Sequence, residues 1–292
     1  MFSLSEKVMK VIFLICGLAI ILFLAGIFFT LLSNSWPALR EMGLVPFLTP
    51  GRWNPGAYGE PTYSLFNMIY GTFMVTVGAL VFAVPIGVAA AAYLAEIAAP
   101  WERELFKPIV EVLAGIPSVV LGFFGLVVIA PLISRIFNIP SGITALNGAI
   151  LVGIMAMPTI ITLAEDAITA VPKEYRNASL ALGGTRWQTI WKITVPAAFS
   201  GITAASLLGM GRAIGETMTV LMVTGNMIAS PESFLDSVRT LSAGIAIDIG
   251  DVVFNSTHFH ALFVAGLLLF VITFIVNLLA DILIHRNPEV NK

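Results

Sequence analysis

The stretch that decides the fold is residues 61–95, PTYSLFNMIYGTFMVTVGALVFAVPIGVAAAAYLA, where no Asp, Glu, Lys or Arg occurs over 35 residues. The hydrocarbon core of a bilayer is about 30 Å thick, and an α-helix rises about 1.5 Å per residue. About 20 apolar residues are therefore enough to cross it once. The stretch predicts a membrane-spanning helix.

The shortage of charge extends along the whole chain. Of its 292 residues, 58% are apolar and only 11% are charged, against roughly 25% charged in an ordinary soluble domain. This excludes a soluble enzyme and a disordered chain, and the net charge of −2 offers no basic surface for nucleic acid. The single cysteine, Cys16, excludes a disulfide scaffold. His258 and His260 lack a third ligand, so no metal site is predicted.

Five further charge-free runs predict further spans. Because Val11-Ile12-Phe13-Leu14-Ile15 does not alternate between apolar and polar residues, a membrane β-barrel is excluded. The first run is longer than the apolar core of a signal peptide, so we expect that helix to be retained. The chain is predicted to be all-α, one polytopic membrane domain over 1–292, with helices at about 9–32, 66–95, 109–134, 143–170, 198–224 and 260–285.

Lys and Arg predict the orientation, since cytoplasmic loops are rich in them. Six spans put both termini on one side. That side carries Lys7, Lys10, Arg103, Lys107, Lys173, Arg176, Arg186, Lys192, Arg286 and Lys292, while the other carries Arg40, Arg52, Arg135 and Arg239. The chain is therefore predicted to lie in the inner (plasma) membrane, with both termini in the cytoplasm. On the outer side, Ser230-Pro231 predicts the start of a short helix within 225–259.

The loop 171–196, VPKEYRNASLALGGTRWQTIWKITVP, predicts a helix-turn-helix between two spans. Gly183-Gly184 ends the first helix because glycine tolerates positive φ. Thr185 and Gln188 form a capping box that starts the second helix. The segment is either an amphipathic connector on the membrane surface or a lever that a soluble partner grips.

This loop resembles the coupling loop of ABC importer permeases, whose pattern is E-A-A-x3-G-x9-I-x-L-P. Asn177-Ala178-Ser179, Gly183, Ile193 and Val195-Pro196 keep its spacing, with Asn177, Ser179 and Val195 replacing Glu, Ala and Leu. The resemblance implies that an ATP-binding subunit contacts this loop. The residues it assigns to that contact are Asn177, Ala178, Ser179, Gly183, Gly184 and Trp187.

Three further motifs resemble PstC-type permeases of phosphate importers. They are 111–122 (EVLAGIPSVVLG), 211–217 (GRAIGET) and Trp53-Asn54-Pro55. The resemblance implies a MetI-like type I permease fold. It also implies a second, PstA-type permease, a homodimeric ATP-binding subunit and an extracytoplasmic phosphate-binding protein as partners. The sequence has no Gly-Lys dipeptide and hence no P-loop, so ATP and Mg²⁺ are assigned to the partner and no cofactor to this chain.

Arg212 and Glu216 are charges inside a predicted span, where one charge costs about 2.5–3.5 kcal/mol on insertion scales. Four residues apart, they would share a helix face and pair. The pair is either structural or a gate that releases Arg212 to phosphate. Glu111, just before the 115–118 motif Gly-Ile-Pro-Ser, is a further candidate for the substrate pathway.

Two other functions remain open at this stage. The first is a permease for another oxyanion such as sulfate or molybdate, since Arg212 would attract either. The second is a stand-alone secondary transporter or channel that uses carboxylates as proton sites. Its candidate residues are Glu111, Glu165, Asp166 and Glu216.

Overall fold

The computed structural model describes residues 4–57 and 60–285, which are mostly helical. Two antiparallel strands of two residues each form a β-hairpin, in which Trp53 pairs with Tyr63 and Asn54 with Thr62. In chain order the elements are α1 (Leu4–Met42), α2 (Val45–Leu48), β1 (Trp53–Asn54), β2 (Thr62–Tyr63), α3 (Phe66–Glu96), α4 (Pro100–Gly115), α5 (Ser118–Phe124), a π-helical turn (Gly125–Ile129), α6 (Ala130–Phe137), α7 (Ala145–Thr169), α8 (Lys173–Ala181), α9 (Arg186–Thr189), a second π-helical turn (Ile190–Thr194), α10 (Val195–Ala197), α11 (Phe199–Gly215), α12 (Met218–Val223), α13 (Leu241–Asp248) and α14 (Thr257–His285).

Among the described residues, five helices are long and apolar enough to cross a membrane, and a bent pair can make a sixth. The five lie in α1, α3, α5 to α6, α7 and α14, and the pair joins Arg186–Ala197 to Phe199–Gly215 at 69°. The predicted class, an all-α polytopic membrane protein, is confirmed. Arg286 and Lys292, which were counted for the orientation, lie outside the described residues.

α7 forms the centre of the bundle and packs against α3 and α11. Glycines allow the close approach of these helices. A Cβ on Gly153 would overlap the ring of Phe82, and one on Gly209 would lie 2.6 Å from Ile160 Cγ1. Small residues let membrane helices approach in this way. α1 packs along α14, and its apolar side chains are otherwise exposed.

The third span starts later than predicted. The expected helix over 109–134 is broken after Gly115, and the span runs from Ser118 to Phe137. Pro117 lacks an amide hydrogen and holds the preceding residue, Ile116, in an extended conformation with ψ 126°. The preceding α4 is a separate amphipathic helix with no buried residue. Glu111 therefore lies on the exposed surface of α4 and not at the start of the span.

The fifth predicted helix, 198–224, is also interrupted. α11 ends at Gly215, Glu216 is extended with ψ 130°, and α12 begins at Met218. The Glu216 carboxylate accepts the amide hydrogen of Thr219 at 3.1 Å, which caps the new helix. The expectation that Arg212 and Glu216 share one continuous helix is therefore wrong.

The short helix predicted after Ser230-Pro231 is displaced along the chain. Residues 230–239 are irregular, and α13 begins at Leu241. The Thr240 hydroxyl accepts the amide hydrogen of Ala243 at 3.2 Å and caps that helix. Buried contacts to α3, including the bond from the Leu241 amide to the Thr72 hydroxyl at 2.9 Å, select the later start.

Candidate functional sites

Two interrupted helices meet beside the middle of α7. The Thr219 hydroxyl, in the first turn of α12, donates to the carbonyl of Ser118 at the start of α5 over 3.0 Å. It also lies 3.3 Å from the sulfur of Met155, in the central part of α7. The Ser242 hydroxyl donates to the backbone carbonyl of Glu216 at 2.7 Å. We call this region, with its two breaks at 116–117 and 216–217, the broken-helix centre.

Arg212 of α11 contacts α7 one helical turn beyond Met155. Its guanidinium donates to the hydroxyl of Thr159, in the middle of α7, at 3.2 Å, and its side chain is exposed on the surface of the single chain. The ion pair predicted with Glu216 is not among the salt bridges within residues 4–57 and 60–285. The break at Glu216 turns the carboxylate to the α12 N-terminus, so Arg212 and Glu216 have separate partners.

A buried carboxylate that the sequence does not distinguish from surface residues lies farther along α7. Glu165 is buried, and its Oε2 lies 3.7 Å from Lys107 Nζ of α4. Asp166, its neighbour, lies in the same turn but is exposed. Because charge is rarely buried without a partner, the pair explains how α7 tolerates Glu165. It also ties α4 to the bundle.

The 171–196 segment forms the predicted helix-turn-helix. α8 and α9 are joined through Gly183, whose φ is +84°. The Thr185 hydroxyl accepts the Gln188 amide hydrogen at 3.2 Å, and the Gln188 side chain accepts that of Thr185 at 2.9 Å, so the capping box is confirmed. A Cβ on Gly184 would lie 2.9 Å from the Ser179 carbonyl, so this close approach requires glycine.

The side chains assigned to partner contact are distributed around this hairpin. Asn177 and Ala178 are exposed on α8, whereas Ser179 is half-buried and its hydroxyl lies 2.9 Å from that of Thr189 on α9. Trp187 is 62% exposed and packs edge-on against Trp191 at 5.6 Å between ring centroids. Ser179 is therefore a residue that holds the two helices together, while the others present a surface.

Clefts flank the hairpin on both sides. One, of about 310 Å³, is lined by Glu96, Ile97, Arg176, Leu180, Arg186, Trp187, Thr189 and Ile190. The other, of about 450 Å³, is lined by Tyr175, Ala178, Ser179, Leu182, Gly184, Gln188, Lys192 and Ile193. Leu182, at the tip, is 90% exposed. Exposed apolar groups beside clefts are typical of a surface that another protein covers.

Two arginines that sequence reasoning missed attach helices to the end of the bundle. Arg176 of α8 pairs with Glu96 at the end of α3, with 2.6 Å between Nε and Oε1. Arg103 of α4 donates to the carbonyls of Leu94 and Ala95, also near the end of α3, at 2.6 and 2.7 Å. The Arg176–Glu96 pair spans 80 residues, and no local pattern signals such a contact.

At the other end of the bundle, Asp248 is the centre of a polar cluster. It accepts a hydrogen bond from the indole of Trp53 at 2.6 Å. Arg239 lies 3.5 Å and His258 3.6 Å from its carboxylate. Trp53 is 2% exposed, so the hydrogen bond that attaches the β1–β2 hairpin to α13 is shielded from solvent. This cluster joins the segment 43–65, through Trp53, and the segment 224–240, through Arg239, to Asp248 at the end of α13.

Interrupted membrane helices around a polar centre, joined to an exposed helical hairpin, define a membrane component of a transporter. A solved structure of the MetNI methionine ABC transporter in inward-facing conformations has the same fold. Its TM-score is 0.54 at 20% identity, and the match covers 74% of this chain and 91% of that one. The predicted MetI-like fold is confirmed.

The chain belongs to the family described as "Binding-protein-dependent transport system inner membrane component", whose sequence profile matches residues 83–287. It is 41% identical to the probable ABC transporter permease protein YqgH of Bacillus subtilis (strain 168), over 83% of this chain and 78% of that protein. It is 33% identical to the phosphate transport system permease protein PstC of Xylella fastidiosa (strain Temecula1), over 87% and 84%. A PstC of Mesorhizobium japonicum is 32% identical over 98% and 91%. The resemblance to PstC-type permeases is confirmed, and the chain is a multi-pass membrane permease component of an ABC transporter.

Proposed function

We propose that this chain is a permease subunit of an ATP-driven importer of inorganic phosphate. The observation that carries the proposal is Arg212, a guanidinium exposed at the middle of the bundle beside two broken helices. Broken helices often surround the substrate path of a transporter. The PstC relatives support phosphate as the substrate.

The chemistry of Arg212 fits an oxyanion. Its planar fork of N–H donors matches two oxygens of a phosphate, and a charge-assisted bond of this kind is stronger than a neutral one. Thr159 holds the guanidinium by one hydrogen bond to an uncharged hydroxyl, which the oxygens of an anionic phosphate can replace. In this proposal Thr159, and not Glu216, retains Arg212 between substrates. Glu111 remains a predicted contributor to the pathway.

The exposure of Arg212 also supports a second, PstA-type permease. A charge facing hydrocarbon at the bilayer centre would cost about 2.5–3.5 kcal/mol or more. A partner permease packed on this face would replace hydrocarbon with protein and a water-filled path. We therefore propose that phosphate passes between the two permeases, with Arg212 on its route.

Energy is proposed to enter through the 171–196 segment. A homodimeric ATP-binding subunit, which holds ATP and Mg²⁺, would contact the hairpin at Asn177, Ala178, Gly183, Gly184 and Trp187. Because the hairpin exposes apolar groups beside two clefts, it suits such a partner. ATP binding would bias the helices between two conformations by its differential affinity for them.

The orientation follows from the charge distribution, and the remaining partner follows from the resemblance to PstC-type permeases. Both termini and the hairpin are placed in the cytoplasm by this proposal, so the Asp248 end of the bundle faces outward. An extracytoplasmic phosphate-binding protein would deliver substrate to that end. No cofactor is assigned to this chain.

The test is ATP-driven uptake of radiolabelled phosphate by proteoliposomes that contain this chain with its co-expressed partners. Replacing Arg212 by Gln should lower uptake by about tenfold or more, the effect of losing one charge-assisted hydrogen bond. Arg135→Gln, in the last turn of α6, is the matched control and should keep full uptake. Full uptake by Arg212→Gln would refute the pathway role.

Two further arms address the other functions. Competition by sulfate or molybdate at equal concentration would indicate another oxyanion as the substrate. Uptake by the chain alone, driven by a proton gradient without ATP, would indicate a secondary transporter.

A further inference from the structure

Arg176 of α8 binds the ends of two membrane helices at once. Its Nε donates to the carboxylate of Glu96 at 2.6 Å, and its Nη1 donates to the carbonyl of Val171 at 2.7 Å. Its Nη2 donates to the carbonyl of Ile168 at 2.9 Å. Glu96 is the last residue of α3, and Ile168 lies in the last turn of α7. We call these contacts the Arg176 clamp.

The clamp suits the transmission of force. The side chains of Arg176 and Glu96 are 17% and 11% exposed, so water and salt screen the pair much less than a surface pair. Three donors of one planar guanidinium are engaged by three acceptors, which fixes its direction as well as its distance. A lysine ammonium is a compact charge on a flexible stem and lacks this fork.

Besides the clamp, apolar contacts attach the hairpin to the bundle, and the buried Val171 at its start is one of the residues that make them. α8 itself has no buried residue, and within the part of the chain that the structure describes, Arg176 joins it to Glu96 of α3 and Ile168 of α7. Beyond α9, Ile190 is buried in an apolar cluster with Ile168 and Ala198. The two helices of the hairpin are joined to each other by Ser179 and Thr189. The clamp thus connects α8 directly with the end of α3.

We propose that the Arg176 clamp transmits movement of the 171–196 segment to α3 and α7, which makes Arg176 and Glu96 positioning residues of the transport cycle. The proposal rests on the proposed function, in which an ATP-binding subunit moves that segment. α3 and α7 pack together, and α7 carries Thr159, the partner of Arg212. The clamp therefore connects the site of ATP-driven movement with the broken-helix centre.

A simple structural staple is the competing explanation, and Arg103 provides the control for it. Arg103 also donates two hydrogen bonds to carbonyls at the end of α3, at 2.6 and 2.7 Å, but it does so from α4. If these arginines only cap and stabilise α3, substitutions at both should have the same effect. If the clamp transmits movement, only Arg176 should alter coupling.

The first experiment uses the complete transporter in proteoliposomes, with Arg176→Lys, Glu96→Gln, the double variant and Arg103→Lys. We expect the clamp variants to assemble and hydrolyse ATP at near-normal rates while phosphate transported per ATP falls by about fivefold or more, the lower end of coupling between protein sites. The double variant should be no worse than the more affected single variant, since both break one link. Unchanged transport per ATP, an equal loss in Arg103→Lys, or failure of Arg176→Lys to assemble would overturn the proposal.

A second measurement does not depend on the substrate. Hydrogen–deuterium exchange of peptides at the end of α3, residues 88–96, is compared before and after a non-hydrolysable ATP analogue is added to the transporter. We expect a change in the unsubstituted protein and in Arg103→Lys, and its loss in Arg176→Lys. An analogue-induced change that persists in Arg176→Lys would refute the clamp. If the unsubstituted protein transports no phosphate, the proposed function is wrong. The exchange measurement still tests whether the Arg176 clamp transmits movement to α3.

Discussion

Replacing Gly183 tests how the hairpin presents its surface. Its φ of +84° lies in the left-handed region, and a Cβ there would meet no atom within 4 Å. The cost of Gly183→Ala is therefore backbone strain alone, about 1–2 kcal/mol. Asn tolerates positive φ better than other side chains, and β-branched Val tolerates it worst. We therefore expect the loss of affinity for the ATP-binding subunit to be largest in Gly183→Val, smaller in Gly183→Ala and smallest in Gly183→Asn.

That strain acts on the turn and not on the whole fold. A cost of 1–2 kcal/mol shifts the equilibrium between the native turn and other arrangements by about 5–30-fold. The turn is exposed, so it can rearrange without opening the buried bundle. We expect the affinity for the ATP-binding subunit to fall by about that factor in Gly183→Ala, with an unchanged thermal unfolding midpoint.

The assay is the dissociation constant between the ATP-binding subunit and this chain in nanodiscs, measured by biolayer interferometry. Ala181→Gly, at the end of α8, is the matched control for a change in flexibility next to the turn. An equal affinity for Gly183→Val and the unsubstituted protein would show that the turn geometry is not needed for docking. A fall in the unfolding midpoint that matches the loss of affinity would also contradict the reasoning.

Three more predictions concern stability and the pathway. Trp53→Phe removes the charge-assisted bond to Asp248 and should lower the free energy of unfolding by about 1.5–3 kcal/mol, measured by thermal unfolding in detergent; an unchanged midpoint would contradict this. Thr219→Val leaves the Ser118 carbonyl without its side-chain donor at the broken-helix centre and should cost about 1–3 kcal/mol of stability, whereas Thr219→Ser should retain the bond. Glu111→Gln, on an exposed helix, should change stability by less than about 0.5 kcal/mol, so any fall in phosphate uptake would report a pathway role directly.

The helix-turn-helix is predictable because its determinants are local. A capping box joins residues three apart, and a glycine turn needs only its own φ, so Thr185, Gln188 and Gly183 act without the rest of the chain. The spans centred on α3 and α7 are likewise visible as uncharged runs. Motif spacing in 171–196 was also sufficient to indicate the permease family.

The broken helices were only partly predictable. Pro117 and Gly215 each permit a break, yet Pro85 and Pro158 lie inside continuous helices. Proline alone therefore does not determine a break. The break at Glu216 is stabilised by a residue distant in the sequence, since the Glu216 carbonyl accepts a hydrogen bond from Ser242, 26 residues away. The pairing of Arg212 with Glu216 assumes that residues four apart lie on one continuous helix, and the break at Glu216 removes that condition.

The sequence by itself determined that this protein is a helical membrane protein, because transfer of uncharged segments into hydrocarbon and short-range capping depend on neighbouring residues alone. Its motifs, by their resemblance to a known family, indicated a permease component. Only the tertiary structure decided which partners the charged side chains have. Arg176 binds Glu96 across 80 residues, and Arg212 binds Thr159 across 53. Such contacts depend on how whole helices pack, since a side-chain donor can bind only an acceptor that the packing brings within reach.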